Sequence, residues 1–344
     1  MIDFDWKVPI DIYEIKHKPD DAYFEQFIQP FDLTKDKLFR ASLHKYKDSI
    51  FVFFDIHHII HDGYSMEVFN KDFIDLLECR EVKKELGHYS DILKAADDID
   101  VKDYKITYDK LGETLDEPYT KILCDSDHDS KDESLVGKHI SKCLPSKTVY
   151  KIAKNCNVSA DCVIHYFFIQ TLLDFTNNKH IITDYFFNRR FHPGLVRTIA
   201  NFAMPIPFKY EPDLENDTFS EIKRFNNIRH DLTSFYKYTL NIQKIIVKNI
   251  NYDCSISYNY LGKHKFATYP SSNINYDKID INQAVTPKYK RKKVKPKGLS
   301  FYVYKENSDF TIQFSYLSKF YSKDKLEQIL DTISDYVDTC ASNI

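Results

Sequence analysis

Glycine is scarce in this sequence of 344 residues, which contains only 7. Neither of the glycine-rich patterns that cradle nucleotide phosphates, G-x-x-x-x-G-K-[ST] and G-x-G-x-x-G, occurs anywhere along it. The sequence therefore predicts no nucleotide-binding site.

Closely spaced cysteines are also missing. The seven cysteines are an odd number, they are scattered, and no C-x-x-C pair is present. This pattern argues against a disulfide framework and against a zinc site, and it predicts a reducing compartment.

Long apolar runs and an excess of one charge are absent as well. No uncharged apolar run approaches the ~20 residues that span a bilayer, and the first six residues are acidic and polar, unlike a signal peptide. The 48 basic and 51 acidic residues give a net charge of -3, which exerts no overall pull toward nucleic acid or membrane. We therefore expect a soluble cytoplasmic protein that binds neither.

Material for hydrophobic cores is plentiful. Hydrophobic residues make up 43% of the chain, with 25 Tyr and 26 Phe, and the length favours two domains over one. The best linker candidate is the polar, acidic stretch 124–133, which lacks periodicity. We accordingly predict an N-terminal domain over 1–125 and a C-terminal domain over 126–344.

Helix-like and strand-like segments mix without strict alternation, which favours an α/β or α+β class with mixed sheets. The patterns predict a hairpin from strands 38–46 and 50–56, and an edge or bulge position for strand 202–210, because it carries Pro205 and Pro207. Ser146 is predicted to cap the helix that follows it. Further strands are predicted at 7–15, 137–144, 181–187, 253–261, 299–305 and 310–316, and helices at 20–28, 65–77, 146–155, 159–175, 217–230, 236–248 and 322–341.

The most chemically pointed stretch follows the strand 51–56, where His57, His58, Asp62 and Gly63 lie within seven residues. Acyl transfer from a thioester to an amine needs a group that takes the proton from the attacking nitrogen, and a neutral imidazole suits that task at cellular pH. Backbone N–H groups of a Gly-containing turn can stabilise the oxyanion of the intermediate. Asp62 is expected to be a structural ion-pair partner that fixes the turn.

Several alternatives stand beside this interpretation. Adjacent histidines near an Asp occur by chance, and three histidines near an Asp could bind metal, although no second ligand cluster supports a metal site. Because neighbouring strand residues point to opposite faces, only one of His57 and His58 can face a reaction centre. His165, on an apolar helix, is predicted to be a satisfied core histidine. The basic run 288–297 is predicted to be a solvated loop, with phosphate or an acidic carrier protein as alternative partners.

The stretch from His57 to Gly63 resembles the HHxxxDG signature of the condensation domains of nonribosomal peptide synthetases, relatives of chloramphenicol acetyltransferase. The likeness extends in both directions along the chain. Matching segments are "PFDL…LFR" at 30–40, "DGxS" at Asp62–Ser65, the opening of a second lobe at 147–177, a loose match to "FVNTLPL" within 188–208, and "HxxxPF" at 230–235.

The resemblance implies two chloramphenicol acetyltransferase-like lobes arranged as a V around a tunnel. Carrier proteins or adjoining synthetase domains would send phosphopantetheine arms toward His58, so the chain would bind no cofactor or metal of its own. By the same resemblance His58 is the catalytic or amine-positioning residue, His57 supports it, Asp62 is structural and Gly63 keeps the loop open. Tyr64 and Ser65 are candidate substrate-binding residues.

The sequence also departs from the family pattern. The opening motifs, including an Arg that pairs with the motif Asp, have no counterpart, and Arg40 matches a different family position. We therefore expect Asp62 to lack that partner. Residues 202–207 replace the familiar Asn and Thr, and Ser234 stands where Pro is usual. A truncated, non-catalytic module that docks carrier proteins is thus an alternative to an active enzyme.

A second alternative concerns the reaction. The stretch Tyr258–Gly262 resembles the "NYLG" segment of epimerisation domains, which share the fold, and it adds Tyr258 and Asn259 as candidate substrate-binding residues. Against this assignment, Met66 replaces the Trp that usually follows "DGxS" in those domains. A strand that ends at a Gly turn explains the same letters, and acylation of a free alcohol or amine is a further possibility.

Overall fold

The computed structural model describes residues 8–87, 137–190, 193–236, 256–262, 298–306, 308–318 and 320–344. By their contacts the described residues form two compact units. The first contains 8–84 together with Arg197–Phe202, and the second contains the rest of the described chain. The predicted boundary at 125/126 and the linker 124–133 lie outside the described residues, as do the basic run 288–297 and the predicted helix 236–248 beyond Tyr236.

A three-stranded mixed sheet forms the body of the first unit. Its order is β1 (Ile10–Glu14), β2 (Phe39–Tyr46) and β3 (Ser49–Ile56), with β1 parallel and β3 antiparallel to β2. Strands β2 and β3 form the predicted hairpin, in which Lys47 has a φ of 51° and turns the chain. The sheet thereby holds β3, the strand that leads to the histidine motif, along its whole length.

Within its described residues the first unit also contains two helices: α1 (Asp21–Glu25) and α2 (Gly63–Leu77). The rings of Phe69 and Phe73 on α2 meet the ring of Phe54 on β3 edge-on, with centroids 5.0 and 5.1 Å apart. Edge-to-face aromatic packing of this kind stabilises the contact beyond the area it buries. It therefore ties α2 to the strand that precedes the histidines.

The second unit is built on a six-stranded mixed sheet of order β4-β9-β8-β7-β5-β6. Strand β6 lies at one edge, as its prolines Pro205 and Pro207 predicted. The strands are β4 (Gly137–Leu144), β5 (Ile181–Asn188), β6 (Ala203–Tyr210), β7 (Ile256–Gly262), β8 (Leu299–Glu306) and β9 (Asp309–Leu317). With two mixed sheets and helices beside them, the predicted fold class is confirmed, whereas the arrangement as a V stays a prediction.

In the part of this unit that the structure describes there are four helices: α3 (Ser146–Cys156), α4 (Ala160–Thr176), α5 (Thr218–Tyr236) and α6 (Lys323–Ser342). The residues from Cys162 to Ile169 on α4 are all buried, and α4 contacts α3, α5 and α6. A helix that is apolar all round is expected at the centre of such a layer. None of the helices within the described ranges is long and apolar enough to cross a membrane.

The predicted cap of α3 is wrong. The capping position is Pro145, not Ser146, and no cap hydrogen bond comes from its side chain. Instead the N–H of Ser146 donates to the carboxylate of Asp309 at 2.9 Å. The first turn of α3 therefore takes its acceptor from the start of β9, a residue 163 positions away.

His165 on α4 lies in the core as predicted, but it is not satisfied. Its imidazole is fully buried, stacks on Tyr258 with centroids 3.8 Å apart, and touches Tyr185, Phe208 and Phe225. Within the described residues neither ring nitrogen has a hydrogen-bond partner. Burial lowers the pKa of His165 well below its ordinary value, and the nearby Arg229 lowers it further.

We expect His165→Phe to make the protein less sensitive to acid. The neutral imidazole stabilises the fold most above its unfolded pKa of about 6.5, and this contribution is lost as the pH falls below that value, because the unfolded chain gains a proton that the folded chain excludes. Urea unfolding would give the free energy of unfolding at pH 8 and at pH 5. The difference between these two values should be about 2 kcal/mol smaller in the variant than in the wild type. An equal gap in both proteins would contradict this expectation.

Candidate active site

The histidine motif lies in a short connection between β3 and α2. Strand β3 ends at Ile56, a single 3-10 turn runs from His58 to Ile60, and α2 begins at Gly63. The N–H of His57 donates to the carbonyl of Leu38 at 3.0 Å, which fastens the loop to the start of the hairpin. The loop therefore has fixed ends on both sides of the two histidines.

His57 directs its ring at the loop itself. Its Nδ1 accepts a hydrogen bond from the N–H of Ile59 at 3.1 Å, so His57 acts as the capping residue of the 3-10 turn. The His57 ring also meets the ring of Phe31 edge-on, with centroids 5.7 Å apart. The guanidinium carbon of Arg40 lies over the Phe31 ring, 3.8 Å from its centroid. Arg40 forms an ion pair with Asp55 at 3.0 Å. These contacts are those of a residue that braces the loop.

His58 has the opposite environment. It is exposed, and its imidazole stacks on that of His61 with centroids 4.8 Å apart and planes 27° apart. Burial lowers the pKa of His61, and the neighbouring His58 lowers it further. A reacting imidazole must be reachable by substrate, and of these three histidines His58 is the exposed one.

Asp62 is buried and uses both carboxylate oxygens. Its Oδ1 accepts from the N–H of Ser65 at 2.7 Å and so caps α2, while its Oδ2 accepts from the N–H of Phe202 at 2.9 Å. A carboxylate at a helix N-terminus is favoured by the backbone amides and by the helix dipole. Asp62 thus fixes the turn by accepting two backbone amides, one from the adjoining helix and one from a segment 140 residues later in the chain.

The segment Arg197–Phe202 is the part of this site that sequence reasoning missed. The hydroxyl of Ser65 donates to the carbonyl of Ala200 at 2.7 Å and accepts from its N–H at 3.1 Å. Arg197 donates to the carbonyl of Lys83 at 3.2 Å and pairs with Asp72. Nothing in the local pattern signals these contacts, because each joins residues more than 110 positions apart.

The remaining predicted site residues divide between the two units. Gly63 is the exposed first residue of α2, Tyr64 is half-buried beside it, and Ser65 is fully buried with its hydroxyl engaged by Ala200. Tyr258 and Asn259 lie on β7 in the second unit. The Tyr258 ring is fully buried and its hydroxyl donates to the carboxylate of Asp161 at 2.8 Å. The substrate-binding roles of these residues stay predictions.

No metal centre is formed by the described residues. Across them, no group of three or more His, Cys, Asp or Glu side chains lies close enough to hold a metal ion. The loop presents the exposed imidazole of His58 and leads into the N-terminus of α2.

The family model of the Condensation domain matches residues 2–344 of this chain. Two synthases are similar in sequence to this chain over shorter stretches. Bacitracin synthase 3 of Bacillus licheniformis is 44% identical over 68 residues, which is 20% of this chain and 1% of that protein. Gramicidin S synthase 2 of Aneurinibacillus migulanus is 37% identical over 79 residues, 23% of this chain and 2% of that protein. The matches thus cover only a small part of the length of these relatives.

Solved structures share the fold over nearly the whole chain. The epimerization domain from the third module of tyrocidine synthetase B has a TM-score of 0.69 and 15% identity, and the match covers 99% of this chain and 81% of that one. The condensation domain of the Monacolin K polyketide synthase has a TM-score of 0.69 and 10% identity, with 97% and 80% covered. At these identities the likeness shows the fold alone.

We expect Asp62→Asn to loosen Arg197–Phe202 from the histidine loop. The amide keeps one acceptor, but its NH₂ group must then face a backbone N–H, so a hydrogen bond to a charged group worth about 2 kcal/mol is lost. Hydrogen–deuterium exchange with mass spectrometry should show faster exchange in peptides that cover 197–202 and 62–66.

The matched control is Asp48→Asn, in the exposed turn between β2 and β3. It should leave the exchange of both peptides unchanged. Protection of 197–202 that survives Asp62→Asn would show that the carboxylate is not what holds this segment.

Proposed function

The chain belongs to the condensation-domain family, and from this premise we propose that it is an acyltransferase that forms an amide bond between carrier-bound substrates in nonribosomal peptide synthesis. The observation that carries the proposal is the exposed His58 imidazole on a loop whose backbone, capping residue and neighbouring helix are all hydrogen-bonded. Preorganised groups of this kind lower the barrier because they need no rearrangement during the reaction.

The proposed step uses His58 as the group that handles the proton of the amine. The amine nitrogen attacks the thioester carbonyl carbon and transfers its proton to the His58 imidazole. Collapse of the tetrahedral intermediate then breaks the C–S bond, forms the amide, and returns the proton to the departing thiolate. An imidazole is a side chain that can both accept and return a proton during such a transfer.

The N-terminus of α2 supplies a place for the developing oxyanion. Asp62 already occupies the N–H of Ser65 through its side chain, and its carbonyl accepts from the N–H of Met66 at 3.1 Å. The proposed donor is the N–H of Gly63, the first residue of the helix, where the absence of a side chain leaves room for a thioester carbonyl. The positive end of the helix dipole favours negative charge at the same point.

The proposed substrates are acyl groups on the phosphopantetheine of carrier proteins, and the proposed partners are those carriers or adjoining synthetase domains. The similarity to bacitracin and gramicidin S synthases supports this choice. We propose no metal and no dissociable cofactor for the step. A cytoplasmic location also stays a prediction.

Epimerisation is the second candidate, because Tyr258–Gly262 resembles a segment of epimerisation domains. The residues of this stretch, however, have structural roles in β7. Tyr258 is buried against His165 and bonded to Asp161, and Gly262 has a φ of 61°, a left-handed conformation that favours glycine at the end of β7. We therefore place amide formation ahead of epimerisation.

We expect His58→Ala to lower the rate of acyl transfer by about 10²–10⁴-fold, the usual range for loss of a general base. Intact-mass spectrometry would follow transfer from pantetheine thioesters to carrier-bound and free amines. His57→Ala should lose less, because it removes a brace and leaves the His58 ring in place. The matched control is His17→Ala, an exposed histidine of the same unit, which should match the wild type.

Three results would change the assignment. Full activity of a well-folded His58→Ala variant would remove His58 from the mechanism. Deuterium washed from the α-carbon of a carrier-bound residue would identify an epimerase. Carrier binding without any product from wild type, and unaffected by His58→Ala, would favour a non-catalytic docking module.

A further inference from the structure

We propose that Asn201 is a positioning residue for His58, whose side-chain amide holds the backbone carbonyl of the reacting histidine and thereby sets the direction of its imidazole. The inference rests on the proposed role of His58. Asn201 does not touch the reacting atoms, so its effect would act through the loop.

The carbonyl of His58 is the point of contact. It accepts the N–H of His61 at 3.4 Å, a long bond that closes the 3-10 turn, and it accepts the side-chain NH₂ of Asn201 at 3.2 Å. The preceding bond of the turn, from the N–H of Ile60 to the carbonyl of His57, has an ordinary length of 3.1 Å, whereas the bond that ends at the His58 carbonyl is long and therefore weak. The amide of Asn201 supplies a second donor where the first is stretched.

The neighbours of Asn201 keep that donor in place. Ala200 exchanges two hydrogen bonds with the buried hydroxyl of Ser65, and the N–H of Phe202 donates to Asp62. Ser65, Asp62 and Phe202 are all buried. Because the backbone is bonded on both sides, the Cα atom of Asn201 is held beside the loop.

The amide oxygen of Asn201 argues against a purely structural role for this residue. Its Oδ1 is buried, and no described residue donates a hydrogen bond to it. A buried acceptor without a partner costs free energy, and leucine would fill a similar space without that cost. The NH₂ group on the His58 carbonyl is therefore the feature that distinguishes asparagine from an apolar residue here.

The test compares Asn201→Leu with the wild type and with Asn70→Leu, the same change on α2 two turns beyond Asp62. For Asn201→Leu we expect kcat to fall about tenfold or more while KM stays within about twofold, because misplacement of a reacting group affects turnover more than binding. Its resistance to urea should equal or exceed that of the wild type, since the unpartnered oxygen is gone. Asn201→Gln, which keeps the donor on a longer side chain, should recover part of the lost kcat.

A second readout does not depend on transfer activity. Carbethoxylation by diethyl pyrocarbonate, followed for each histidine by peptide mass spectrometry, should change at least about threefold at His58 in Asn201→Leu and remain the same at His17. If the wild type transfers nothing, the proposed function fails, but this readout still decides the role of Asn201. Should Asn201→Leu not fold, Asn201→Ala, which also removes the donor, carries the same comparison.

An unchanged rate of modification at His58 overturns the inference even if transfer is slower, because a slower enzyme with an unmoved His58 has lost something other than its orientation. A wild-type kcat in Asn201→Leu overturns it as well. A loss in kcat, a stable fold and altered His58 reactivity together establish it.

Discussion

The first unit depends on one buried carboxylate. Asp62 accepts the N–H that begins α2 and the N–H of Phe202, which lies 140 positions later in the chain. Buried backbone amides need acceptors, and neither donor has water to turn to at this depth. One side chain therefore fixes the start of the helix, the end of the histidine loop and the position of Arg197–Phe202. The hydrogen bonds of His57 and Asp62 hold the loop on either side of His58, although the His58 side chain itself is exposed.

The local features of this arrangement were predictable from the sequence. The hairpin followed from two alternating strands around Lys47-Asp48, the edge position of β6 followed from its prolines, and the histidine motif marked the loop after β3. The docking of Ala200 on Ser65 and of Asn201 on His58 was not predictable, because no spacing or periodicity connects residues so far apart. The same reason explains the error at Ser146, whose acceptor is Asp309, and at His165, whose lack of partners depends on how α4 lies on the sheet.

The second unit contains a cluster of charges that sequence patterns also fail to reveal. Arg229 on α5 pairs with Asp161 on α4 and donates to the hydroxyl of Tyr185 at 2.6 Å, while Tyr258 donates to Asp161. Burial alone would lower the pKa of Arg229, but the Asp161 carboxylate raises it above its ordinary value. Removal of one partner would leave an uncompensated buried charge. The cluster thus links α4 and α5 to strands β5 and β7 beside His165.

The prolines of β6 also limit how this strand can pair with a further strand. In an antiparallel ladder, alternate residues point their amides toward the partner strand and away from it. Pro205 and Pro207 have the same parity on β6, and neither has an amide hydrogen to donate on either side of the strand. A strand added beside β6 would therefore receive no amide donor from these two positions. Among the described strands β6 lies at the edge of its sheet, so the two prolines make this edge a poor template for strand addition.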